Sequence, residues 1–346
     1  MPVSGLSYRS GHTFWFAPEL VSVDDTVEVA VLGKGVGESI VLRLDDKWVI
    51  VDSFKERSAN GRFRPAPLQY LEDRGVNAAT DVRSVVLTHL HADHSEGIDE
   101  VVATCRRARF YMPSAVPGRE WNAVLNELAR DSSAPRRRKM QQIANAFRAA
   151  WDDDRFQAVG ATSVISTGSL ELYAIGPTVR AENAVTTPGV LMGPGAVVRE
   201  NFTSIVLWLC AGNAAALLCA DMDCDDQFGW RSLLEEQASS AWLRGAKLVK
   251  VSHHGSRRAH EPDVFSSWTD RPVAVITPNR ANDLPAPEVV EELKQLCFSV
   301  WLANAHGDVP LRASSSVSNS TTVAIAISGS RTTGEWTVVA DPAYRL

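Results

Sequence analysis

The chain lacks what a disulfide framework needs. Its 346 residues hold five cysteines, an odd number, widely spread and with no Cys-x-x-Cys pair. That pattern excludes a stapled secreted scaffold and fits reduced thiols in a cytoplasm. No apolar run is long enough to cross a bilayer, so no membrane partner is expected. Residues 1–20 lack a basic start followed by an apolar core, so no signal peptide is expected. There is no basic excess either: 35 Lys and Arg face 41 Asp and Glu, for a formal net charge of −6. A generally basic nucleic-acid coat is thereby excluded, but a local basic groove is not. No internal repeat is visible. At 45% hydrophobic residues the chain is an ordinary globular protein. Its length fits one large α/β domain with an insertion, or two domains.

What the chain does have is concentrated in Val85-Val86-Leu87-Thr88-His89-Leu90-His91-Ala92-Asp93-His94-Ser95-Glu96-Gly97. An apolar, β-branched run, read as a buried strand, stops at three histidines and an aspartate. Both residue types are ligands for a borderline ion such as zinc. One strand-to-loop corner could supply His89 and His91 to one metal and Asp93 and His94 to a second. The plain alternative is a solvated polar loop after a core strand. Four ligand-type side chains in six residues weigh against it.

Other strand ends carry similar residues. Strands are expected at 26–32, 40–44, 48–51, 82–87, 109–112, 204–209, 214–219, 247–251, 273–276, 299–302, 321–327 and 336–340, with two more between 160 and 177. Helices are expected at 67–74, 98–104, 118–131, 135–151, 228–241 and 287–296. Strands outnumber helices, and hairpins give way twice to β-α-β, which suits two mixed sheets packed face to face with helices outside. Asp52, Asp221 and His253-His254 then fall at strand ends, where loops can meet over one edge. Asp221 is placed to bridge two ions, and His254 to complete the second; His253 could instead contact substrate. Asp52 reads as an acid that orients a ligand histidine. Taken singly, each of these could be a turn or surface residue.

The order of segments narrows the reading. Gly35-Val36-Gly37-Glu38-Ser39-Ile40, Val49-Ile50-Val51-Asp52, His89-x-His91-x-Asp93-His94, Asn201-Phe202-Thr203-Ser204-Ile205-Val206-Leu207, Ala220-Asp221 and Lys250-Val251-Ser252-His253-His254-Gly255-Ser256 occur in sequence. The His motif resembles that of the metallo-β-lactamase superfamily. The whole order is similar to the metallo-β-lactamase domain of the competence protein ComEC and related stand-alone hydrolases. The resemblance implies a four-layer αβ/βα sandwich, here one domain over residues 1–346. A helical insertion is expected at about 116–160 and a flexible loop at about 178–200. It further implies two divalent ions, zinc first and manganese second, held by His89, His91, Asp93, His94, Asp221 and His254. The expected reaction is metal-dependent hydrolysis of a phosphodiester, with Asp93 among the catalytic residues. Arg257, His253 and His306 are candidates to stabilise developing charge.

Two departures from the family pattern stand out. Arg199-Glu200-Asn201 replaces a further metal histidine, so Glu200 or water could serve the first ion, with Asn201 beside it. Asn282-Asp283-Leu284-Pro285-Ala286-Pro287 has alanine where a histidine is common. A nuclease reading predicts a positive groove from Arg136-Arg137-Arg138-Lys139 or Arg257-Arg258, with nucleic acid as the anionic partner. The insertion could also dock a protein. A hydrolase of a small ester, lactone or phosphocholine-type substrate predicts instead a closed pocket lined by Trp121, Trp230, Trp268 and Trp301. A regulatory module with a degenerate metal site is the third reading.

Overall fold

The computed structural model describes residues 26–58, 61–114, 134–161, 163–166, 171–185, 200–238, 240, 242, 245–266, 268–303, 323–339 and 346. Two sheets dominate them. The eight-stranded sheet runs β17-β16-β1-β2-β3-β6-β7-β8. Its strands are β1 Thr26–Lys34, β2 Gly37–Leu44, β3 Lys47–Val51, β6 Val82–Val86, β7 Arg109–Pro113, β8 Phe156–Val159, β16 Val323–Ser330 and β17 Trp336–Val339. The seven-stranded sheet runs β15-β14-β13-β12-β11-β10-β9. It comprises β9 Val164–Ser166, β10 Glu171–Ala174, β11 Leu207–Ala211, β12 Ala214–Leu218, β13 Leu248–Lys250, β14 Val273–Ile276 and β15 Ser299–Leu302. A small hairpin joins β4 Lys55–Arg57 to β5 Phe63–Pro65.

The strands alternate their faces, and that alternation makes three cores. Ile40, Leu42, Val49 and Val51 point between the sheets, against Leu207, Leu209, Leu218, Val275 and Trp301. Val41, Ile50, Val85 and Leu87 point outward, under the helices α1 Ala66–Asp73, α2 Ile98–Thr104 and α3 Ala134–Asp152. On the far side Leu217, Val249 and Ala274 meet Trp230 of α5 Trp230–Glu236 and Leu293 of α6 Pro287–Leu296. Each such side chain, fully buried, contributes about 1.5–3 kcal/mol. The result is the four-layer helix–sheet–sheet–helix sandwich expected.

Two expectations need correction. The segment at 116–160 is not purely helical: β8 pairs in parallel with β7 and extends the first sheet. Four residues are too few for a period to show. The loop expected at 178–200 opens with a helix, α4 Val179–Val185. Its Gly- and Pro-rich remainder, 186–199, lies outside the described residues, as do 115–133.

Candidate metal centre

Five strand ends converge on one edge of the sandwich. β3 leads into Asp52, β6 into Thr88 and His89, β12 into Asp221, β13 into His253 and His254, and β14 into Thr277. Backbone bonds lock these ends together: Asp52 N donates to Val86 O at 2.8 Å, Ile205 N to Thr88 O at 3.0 Å, and His253 N to Ala220 O at 2.9 Å. Asp52, Ala220, His253 and His254 all take left-handed backbones, with φ of 60°, 47°, 44° and 55°. Such residues cost about 1–3 kcal/mol each and persist where the surroundings over-determine them. Gly255 follows, also at positive φ, and a Cβ there would lie 2.7 Å from the Pro285 ring. Only glycine fits the turn that delivers the two histidines.

The one-turn helix Ala92–Ser95 aims Asp93 and His94 inward, with Ser95 Oγ donating to His91 O at 2.7 Å. Asp221 is the hub. Its Oδ2 lies 3.9 Å from His89 Nε2, 3.8 Å from His253 Nε2 and 3.7 Å from His254 Nε2, while Oδ1 lies 3.3 Å from His94 Nε2. His254 Nε2 is also 3.3 Å from Asp93 Oδ2. His89, His91 and Asp221 form one group whose ligand atoms lie within 4.8 Å of one another; His94, Asp221 and His254 belong to a second, together with Glu38. The Nε2 atoms of His89, His94 and His254 and Oδ1 of Asp221 are buried without a hydrogen-bond partner. Buried polar atoms are rarely left so. Three imidazole nitrogens and a carboxylate turned toward one another are the donor set that zinc takes. The residues present therefore fit two divalent ions.

Asp52 is buried and lies behind this set. It accepts from Thr88 N, from Thr88 Oγ1 and from His94 Nδ1, each at 2.7 Å. With Nδ1 bound to Asp52, His94 turns Nε2 toward Asp221. Burial opposes a charged His94, but Asp221, Asp52 and Glu38 outweigh it and raise its pKa well above the usual value. Burial and the neighbouring His94 and His91 push His89 well below. Burial likewise lowers His91. At Asp93 burial is outweighed by the His254 imidazole, 3.3 Å away, and by the His94 charge, which hold it at about 2. His253 is half-turned to solvent. Its Nδ1–H donates to Asp223 Oδ1 at 2.6 Å, and Asn201 Nδ2 donates to Asp223 Oδ2 at 3.2 Å. Glu200 Oε2 sits 3.2 Å from His91 Nε2 and 3.7 Å from Lys139 Nζ.

The family model of the Metallo-beta-lactamase superfamily matches residues 32–262, more than half of the chain. The chain belongs to the metallo-beta-lactamase superfamily. It is similar to the hydrolase AbOPH of the beta lactamase superfamily at 16% identity and TM-score 0.38, over 57% of this chain and 71% of that one. It is similar to the metallo-beta-lactamase SMB-1 at 14% identity and TM-score 0.38, over 65% and 76%. MEM-A1, a subclass B3 metallo-beta-lactamase from a soil metagenome library, gives 14% and 0.36 over 66% and 76%. Likenesses this low carry no argument about activity. A search of curated proteins finds no match.

The metallo-beta-lactamase corner gathers every expected ligand, His89, His91, Asp93, His94, Asp221 and His254, with Asp52, Glu200, Asn201 and His253 around them. Arg257 is not brought in: its side chain is 74% exposed and paired with Glu288 of α6. His306 lies outside the described residues. Four residues were not anticipated. Glu38 and Lys250 are a buried ion pair beside His254. Thr277 bonds both Glu38 and His254. Asn279 Nδ2 donates to Asp93 Oδ2 at 3.2 Å. The one available signal was Lys250, a cation in the apolar strand Leu248-Val249-Lys250-Val251.

Proposed function

We propose that the chain hydrolyses phosphodiester bonds in an anionic substrate, with two divalent ions, zinc or manganese, held at this corner. His89, His91 and Asp221 would hold the first ion; Asp93, His94 and His254, with Asp221 in reach of both groups, would hold the second. When bound, such ions activate a water at neutral pH and stabilise charge that develops on phosphoryl oxygens. The chain's own part is positioning. Asp52 fixes His94, Asp223 fixes His253, and Asn279 fixes Asp93. His253, with Nε2 3.8 Å from Asp221, is placed to touch substrate beside the ions.

The observation that carries the phosphodiester reading is a cleft of about 440 Å³ lined by Ala92, Glu96, Ala134, Arg138, Lys139 and Gln142, with Ala92 the chain neighbour of His91 and Asp93. Arg138 and Lys139 of α3 put positive charge in that cleft, and Lys139 Nζ lies 3.7 Å from Glu200 Oε2, itself 3.2 Å from His91 Nε2, which suits an anionic substrate. The ComEC-like order of motifs points the same way. None of the five cysteines is joined in a disulfide. The aromatic pocket expected for a small-ester hydrolase is not assembled from the described tryptophans. Trp230 and Trp301 are 1% and 2% exposed in two different cores, and Trp268 packs on the outer one. Trp121 lies outside the described residues. A degenerate regulatory site is disfavoured by the gathering of His89, His91, His94, Asp221 and His254 in two groups that could each hold an ion.

The test is turnover of bis-p-nitrophenyl phosphate, nitrocefin and a thiolester panel by chelator-stripped protein, with and without added zinc or manganese. Metal-dependent hydrolysis of the phosphodiester, well above that of the others, is expected. Faster turnover of nitrocefin or a thiolester overturns the reading.

A further inference from the structure

Thr88 links Asp52 to a second histidine besides His94. Its Oγ1–H donates to Asp52 Oδ2 at 2.7 Å, and the same oxygen lies 3.0 Å from His89 Nδ1. The arrangement recurs from the opposite sheet. Thr277 Oγ1 donates to Glu38 and lies 3.2 Å from His254 Nδ1, which also has the Thr277 carbonyl at 3.0 Å. Glu38 stands on β2 of the eight-stranded sheet; Lys250 and Thr277 stand at the ends of β13 and β14 in the other. Glu38 is 1% exposed and Lys250 0%. The local sequence builds this approach: a Cβ at Gly37 would lie 2.3 Å from the Phe54 ring, so glycine is required next to Glu38.

We infer that Glu38 is a positioning residue for His254, acting through Thr277, and that Lys250 holds its carboxylate away from the ions. This rests on the metal-centre reading above. By distance alone Glu38 could itself be a ligand, since it groups with His94, Asp221 and His254. Two observations place it behind the ring instead. The His254 nitrogen within 3.6 Å of Glu38 is Nδ1, whereas Nε2 faces Asp93 at 3.3 Å and Asp221 at 3.7 Å. The same Glu38 oxygen that approaches the ring is already engaged by both Lys250 and Thr277.

The chemistry follows from the donor inventory. The Thr277 hydroxyl has one proton, and it goes to Glu38. Toward His254 the hydroxyl can then only accept, as the Thr277 carbonyl does. Both require the ring proton on Nδ1, which leaves the Nε2 lone pair for an ion. Without the carboxylate the hydroxyl proton is free to turn toward Nδ1, and the carbonyl is the remaining lock. Loss of Glu38 also leaves a buried ammonium beside two cations, which repels them. Loss of Lys250 leaves a carboxylate, which does not.

Zinc titration of the chelator-stripped full chain against a competing indicator, with thermal unfolding of the same samples, tests this. Glu38→Gln should fold and lose zinc affinity by roughly 10- to 100-fold, the usual range for a partner of a metal ligand. Thr277→Val should weaken zinc in the same direction, by about tenfold. Lys250→Met should lower thermal stability without weakening zinc. Folded Glu38→Gln and Thr277→Val proteins with wild-type affinity overturn the inference. So does a Lys250→Met loss equal to that of Glu38→Gln, which would make the pair a plain strut. If Glu38→Gln does not fold, Thr277→Val decides alone. Wild-type protein that takes up no zinc defeats the metal-centre reading and the inference with it. Unchanged affinity in variants of a zinc-binding wild type defeats the inference only.

Discussion

His253 and His254 are adjacent and both left-handed, yet they present their rings to different partners. His254 is fully buried, with Nδ1 tied to Thr277 and Nε2 facing Asp93 and Asp221. His253 keeps 19% of its side chain exposed and is tied to Asp223. His254→Ala should therefore weaken binding of the second ion by more than about 100-fold, beyond the loss typical of an outer partner. His253→Ala should cost less metal and more turnover. Zinc affinity and phosphodiester turnover of the two variants check this; the reverse order contradicts it. A second residue-scale outcome lies away from the site. Burial raises the Glu56 carboxyl to about 7, against the pull of Lys34 at 3.5 Å. Its folded value exceeds the ordinary 4.5, so its stabilising contribution is full below about 4.5 and is lost as pH rises through about 7. Stability should fall over that window, and Glu56→Gln should flatten the fall in denaturant titrations across pH. At this scale the candidate ligands were legible because they cluster at strand ends. Glu38 was not: its partner Thr277 is 239 residues away and only sheet-on-sheet packing joins them.

Helix α3 shows how an element can serve both the core and the site. Met140, Ile143, Ala144, Phe147 and Ala150 recur at helical spacing and are buried against α2 and the first sheet. Its first turns carry the basic run Arg136-Arg137-Arg138-Lys139 in sequence, of which Arg138 and Lys139 line the cleft beside Ala92. Cations at a helix N-terminus oppose its dipole by roughly 0.3–1 kcal/mol each. An anionic ligand would offset that. If the ligand is nucleic acid, replacing all four by glutamine should weaken binding and flatten the log–log salt slope by up to about 3 to 4. Model-ester turnover should fall less than nucleic-acid affinity. An unaltered slope would leave the run as a solvated face. The periodic apolar face of this helix was readable from sequence. β8 and the β4–β5 hairpin were not, since three or four residues carry no usable period.

At the scale of the molecule, the sandwich brings distant segments to one edge. β3 and β6 come from one sheet, β12, β13 and β14 from the other, and Asp221 stands where the two sets meet. The layers were legible because hairpins give way twice to β-α-β, an order that suits two mixed sheets with helices outside. The depth of the cross-sheet contacts was not, because no local pattern records which strand ends oppose one another. Asp221 faces His94 with one oxygen and His89, His253 and His254 with the other. The proposed hydrolysis therefore requires two ions that share this carboxylate. Elemental analysis of purified wild-type and Asp221→Ala proteins, dialysed against the same metal-buffered solution, tests it most directly. The wild type should hold about two ions per chain, and Asp221→Ala should lose most of the second. Full metal retention in a folded Asp221→Ala protein, or a wild type that holds none, would contradict the account.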